Sequence, residues 1–110
     1  MKVVDLIKDN NFHDSCLENL FYDEKMRTLS LVIDFCCWAQ KDFKEGDAEN
    51  KIVNLKFDDV ADLNSEDYEI DSDSILDFKL KDDGRIELVV ESDSEGVQVI
   101  SFRASSVTFD

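Results

Sequence analysis

A chain of 110 residues is long enough for one domain with its own core, without metal or disulfide staples. Its residues are 43% hydrophobic and include eight Phe, which separates it from acidic disordered tails although 35% of its residues are charged. Twenty-seven acidic against twelve basic side chains leave a formal charge of −15, which argues against nucleic acid or an anionic membrane surface as partner and favours a basic protein. Acidity that serves solubility alone stays open as the bland alternative.

The run Val3-Val4-Asp5-Leu6-Ile7 is too short and too charged for a signal peptide or a membrane span, so a cytoplasmic location is expected. Reduced thiols agree with that. Three cysteines cannot all pair internally, and the adjacency of Cys36 and Cys37 disfavours an ordinary disulfide. Val3, Leu6 and Ile7 share one side of a two-turn helix over Lys2 to Asn10. A strand follows at Cys16 to Tyr22 with Leu20 and Tyr22 inward, then a turn at Asp23 to Met26. From Arg27 to Cys37 the residues Leu29, Leu31, Ile33 and Phe35 alternate with Thr28, Ser30 and Asp34, the pattern of a central strand. Trp38 to Asn50 loses this period and reads as an exposed connection. Lys51 to Asp58 resumes as strand with Val53, Leu55 and Phe57 inward, and Asp59 to Glu69 reads as a loop with at most one helical turn.

Ser74 to Ser92 is the most legible stretch. Leu76, Phe78 and Leu80 alternate with charge, and after Asp82-Asp83-Gly84 the alternation resumes at Ile86, Leu88 and Val90. A hairpin with a three-residue loop ending in Gly84 puts both apolar sets inward and predicts Leu80 opposite Ile86, Phe78 opposite Leu88 and Leu76 opposite Val90. Lys79 then faces Glu87 on the wet side. Val97 to Ala104 is a further strand, apolar on both faces, and Val107 and Phe109 mark a short last one. The expected fold is mainly β, α+β at most: a single domain over residues 1–110, formed by an antiparallel six- to seven-stranded β-sandwich or curled sheet with a short N-terminal helix.

No catalytic constellation can be assembled from spacing. His13 beside Asp14 lacks a nucleophile placed for it, and the bland reading puts Asp14 or Ser15 in a turn cap with His13 packed at the start of the first strand. Cys16, Cys36 and Cys37 lack paired zinc-ligand spacing and read as small hydrophobes. The clusters Asp71-Ser72-Asp73-Ser74 and Ser92-Asp93-Ser94-Glu95 lack the glycine and distal glutamate of an EF-hand, and the scattered glycines form no phosphate loop. Neither a cofactor nor a metal is expected. What stands out is charge: Asp58, Asp59, Asp62, Glu66, Asp67, Glu69, Asp71 and Asp73 follow one another with no lysine or arginine among them, and Tyr68 sits inside the run. These nine residues form the candidate partner-binding patch, against the alternative of a solvated loop.

Phe12-His13-Asp14-Ser15, then Leu17, Leu20 and Tyr22-Asp23, the Leu29-x-Leu31 strand and Leu55-x-Phe57-Asp58-Asp59-Val60 resemble small bacterial immunity proteins, over the first half of the chain. These are the cytosolic antidotes of polymorphic and contact-dependent growth-inhibition toxins. The resemblance implies a non-enzymatic, β-rich inhibitor that grips one toxin domain. Combined with the charge, it leads to the expectation of a basic toxin domain as partner, such as a nuclease with a positive groove. The free chain is expected to be a monomer that binds neither nucleic acid nor membrane. The competing expectation is a small-ligand or metal-binding β-sandwich with a cavity between its sheets, or a structural module.

Overall fold

Eight antiparallel strands and one short helix account for the architecture of the computed structural model, which describes residues 1–65 and 70–110. In chain order these are α1 (Val3–Asp9), β1 (Cys16–Asp23), β2 (Thr28–Cys36), β3 (Asn50–Asp58), β4 (Ala61–Asn64), β5 (Asp73–Leu80), β6 (Ile86–Ser92), β7 (Gly96–Arg103) and β8 (Ser106–Phe109). A single turn of 3-10 helix at Cys37–Ala39 opens the long connection after β2. All strands join one sheet in the order β4-β7-β6-β5-β1-β2-β3-β8. The expected mainly β, curled sheet with an N-terminal helix is therefore what forms. The strand count exceeds the expected six or seven because Ala61–Asn64, read from sequence as loop, pairs with β7.

The two outermost strands are continuations of inner ones. β4 follows β3 after Asp59 and Val60, and β8 follows β7 after Ala104 and Ser105. On one side of this corner Asp58 pairs with Ser106, and on the other Ala61 pairs with Arg103, three residues on along one strand and three back along the other. The register is thus unbroken through the bend. β3–β4 and β7–β8 behave as two bent strands paired along both limbs, so the sheet curls until its ends meet, which leaves few open edges. Asp59 at φ 53° and Asp62 at φ 55° take the left-handed turns that make the corner, a conformation Asp tolerates better than most residues. The ring is thinnest at the opposite seam, where β1 and β5 share only the pairs Cys16–Ser74 and Leu17–Asp73. The Asp14 amide donating to the Ile75 carbonyl (3.1 Å) and the Ile75 amide donating to the Ser15 carbonyl (2.8 Å) extend it.

Alternation sends one face of each strand inward. Leu29, Leu31, Ile33, Leu55, Phe57, Ile86, Leu88, Ile100 and Phe102 are fully buried. Six phenylalanines form a continuous train, Phe109 to Phe35 to Phe12 to Phe78 to Phe57 to Phe102, with ring centroids 4.9 to 6.4 Å apart. Rings at such spacings in tilted and edge-on arrangements add to the burial of their area. The helix closes one end of the sheet through Val3 and Leu6 and packs against β5 and β8. The Met1 ammonium donates to the Val107 carbonyl at 2.9 Å.

The β5–β6 hairpin has the expected three-residue turn, with Gly84 at φ 87° and its amide donating to the Lys81 carbonyl at 2.9 Å. Leu80 faces Ile86, Phe78 faces Leu88, and Lys79 lies 3.3 Å from Glu87, as read from sequence. Nearer the start of β5 the reading slips. Val90 pairs with Ile75 rather than Leu76, because a bulge at Leu76 reverses the inward-outward order before it. Ile75 and Asp73 consequently turn inward, and Leu76 is only half-buried.

Candidate functional site

The structure divides the predicted acidic run into two groups. Asp58, Asp59 and Asp62 lie at the corner; Asp71 and Asp73 lie at the β1–β5 seam; Glu66, Asp67, Tyr68 and Glu69 lie outside the described residues. At the corner each carboxylate has a partner. Ser106 Oγ donates to Asp58 Oδ2 at 3.3 Å, Ser105 Oγ donates to Asp59 Oδ2 at 2.6 Å, and Arg103 Nε stands 3.5 Å from Asp62 Oδ2. Arg103 also donates to the Asp83 carbonyl at 2.6 Å, joining the β5–β6 turn to the corner. Asp83 is held below the usual carboxylate range, first by a hydrogen bond from the Arg85 amide and then by the nearby positive charges of Arg103, Lys81 and Arg85. The run itself contains no cation, but the fold supplies one from β7.

At the seam the reverse holds. The bulge that turns β5 over carries Asp73 into the interior opposite Leu17, and its side chain is 2% exposed. The neighbouring Asp71 backbone favours its ionised form, yet among the described residues Oδ2 has no hydrogen-bond partner. Burial is the main cause that pushes the Asp73 carboxyl up, and the charges of Asp71, Asp93 and Glu18 push it further. Glu18 comes from β1, where Ser72 Oγ donates to its Oε2 at 2.5 Å, and Asp93 comes from the β6–β7 turn. Three separated stretches thus bring the charges of Glu18, Asp71 and Asp93 within electrostatic reach of Asp73, and among the described residues none of the four has an ion pair. The two clusters noted in the sequence, around Asp73 and around Asp93, are neighbours here because Ser74 pairs with Glu91 across β5–β6. Glu18 was missed: it stands alone in the sequence, and only its strand pairing brings it to this place.

Other candidates resolve as follows. His13 is exposed rather than packed, with Nδ1 3.2 Å from the equally exposed Asp14 carboxylate, because Phe12 takes the inward position. Ser15 is buried, and its Oγ accepts from the Cys36 amide at 2.9 Å. The three cysteines are free thiols; Cys36 is buried, and the half-buried Cys16 is pushed up, mainly by burial and then by Glu18 and Asp34. A thiol held protonated in this way is a poor nucleophile. Among the described residues no three side chains of His, Cys, Asp or Glu form a group able to hold a metal ion. An open cleft of about 500 Å³ lies beside the end of α1, lined by Asp9, Phe35, Cys37, Phe43, Lys51 and Phe109 among others. Trp38 is half exposed in the same connection. No helix among the described residues is long and apolar enough to cross a membrane.

No known family model matches this sequence, and no curated protein matches it either. Among solved structures, the crystal structure of an uncharacterized protein from Neisseria gonorrhoeae is similar over 92% of this chain and 94% of its own, at 15% identity and a TM-score of 0.44.

Proposed function

We propose that the chain is an immunity-type inhibitor, a non-enzymatic cytoplasmic protein that binds and neutralises a basic bacterial toxin domain through its anionic surface. The observation that carries this reading is the gathering of Glu18, Asp71, Asp73 and Asp93 at the β1–β5 seam with no cation beside them among the described residues. Like charges assembled at one place repel and cost folding energy, whereas a basic partner relieves that repulsion and gains from it in encounter rate. The acids tied down at the corner supply net charge but have partners already. A nuclease whose substrate groove is positive fits such a surface, since the inhibitor would occupy the place of a polyanion.

The gene immediately upstream is expected to encode a large secreted protein with a C-terminal toxin domain, and the test uses that domain. A one-to-one complex whose association slows steeply with added salt, together with protection of cells expressing the toxin, is the expected result. A toxin domain that neither binds nor is neutralised removes the proposal. The second reading, a small-ligand protein, draws on the cleft beside α1. Thermal stabilisation that grows with the concentration of a small molecule is its signature.

A further inference from the structure

Acidic clusters are common on a protein of this charge, but Asp73 makes this one unusual. A buried carboxylate oxygen is expected to have a donor, because an unmet acceptor loses its water and gains nothing in return. Among the described residues Asp73 Oδ2 has none, Asp73 is 2% exposed, and the charges acting on it are those of further carboxylates. We propose that the β1–β5 seam is a receptor for one cationic side chain of the partner, an ammonium or guanidinium, with Asp73 Oδ2 as the anchoring acceptor and Glu18, Asp71 and Asp93 as the surrounding charge. The identity of the donor rests on the function proposed above; the site itself does not.

A cation bearing N–H donors suits the geometry better than a metal ion. Asp73 Oδ2 needs a single directional donor, and the described residues offer no three ligands grouped for a metal. A guanidinium can direct one N–H to Oδ2 while the charges of Glu18, Asp71 and Asp93 stabilise it at longer range. Arrival of the cation favours the ionised carboxylate, so any proton held by Asp73 leaves on binding.

The experiment follows the Asp73 side-chain carboxyl carbon by NMR in the full chain while methylguanidinium is added, with sodium chloride and magnesium chloride at matched ionic strength as the other arms. A saturating shift at Asp73 with methylguanidinium alone, accompanied by a lower titration midpoint and absent at the exposed Asp42, is expected. Equal responses to all three salts, or saturation by magnesium alone, overturn the proposal. With the toxin domain, Asp73→Asn is expected to weaken the complex at least about tenfold, the size of effect seen when a buried charge pair loses one member. A toxin complex untouched by Asp73→Asn ends this inference and leaves the proposed function standing. Saturation at Asp73 without any toxin binding does the opposite.

Discussion

The corner and the seam are built from the same kind of residue and come to opposite ends. At the corner, Asp62 and Asp83 share Arg103, and Asp58 and Asp59 accept from serines. At the seam, Asp73 is buried with an idle oxygen among Glu18, Asp71 and Asp93. Charge counted along a chain is therefore a poor guide to charge in space. The corner carboxylates already have donors and have little left for a partner, whereas those at the seam have an unmet demand.

The contrast can be broken most severely through the core. Phe57 is fully buried on the strand that leads into the corner and meets Phe102 of β7 edge-on at 4.9 Å. Phe57→Ala is expected to cost about 3–5 kcal/mol in urea unfolding, as large-to-small core changes do. The corner should loosen first, since this ring contact joins the two bent strands.

Asp73→Asn sharpens the contrast and has a smaller effect of opposite sign. Removing a buried charge with an unmet acceptor should raise stability at pH 7 by about 1 kcal/mol. The pH dependence follows from the direction of the shift. Asp73 holds its proton more tightly folded than unfolded, so its cost is absent below the ordinary value of 3.8, grows as pH rises towards the folded value, and is complete above it. The advantage of Asp73→Asn should therefore widen with pH across that window. Asp83 at the corner behaves in the opposite sense: its contribution is present above 3.8 and fades as pH falls through its lowered folded value. An NMR titration placing the two on the same side of 3.8 would show that the regions do not differ as described.

Arg103→Ala is a change of similar size and opposite sign. The side chain is 39% exposed, so its ion pairs are well screened, and a loss of about 1 kcal/mol is expected, chiefly from the hydrogen bond to the Asp83 carbonyl. It should make the corner resemble the seam in charge without reproducing a buried orphan.

Much of the scaffold was readable in the sequence. Strict alternation in β2, β3 and β6 marked the inward residues, and Gly84 fixed the turn that sets Lys79 against Glu87. The failures have separate causes. Ile75 and Leu76 are both apolar, so period two runs through either of them, and the choice of Leu76 hid the bulge that turns Asp73 inward. β4 was hidden because its alternation is only Ala61 and Leu63 within four residues; its pairing with β7, which continues the β3–β8 register, makes it a strand. Glu18 could not be placed at the seam without knowing that β1 meets β5, a pairing of residues more than fifty positions apart.

The central claim is that the seam, and not the corner, meets the basic partner. Association with the toxin domain at low salt, measured by stopped flow for Glu18→Gln/Asp71→Asn/Asp93→Asn and for Asp58→Asn/Asp59→Asn/Asp62→Asn, tests it with equal changes in charge. The account predicts a rate about tenfold lower or more for the seam variant and a nearly unchanged rate for the corner variant. Equal slowing by both, or slowing by the corner variant alone, would contradict it.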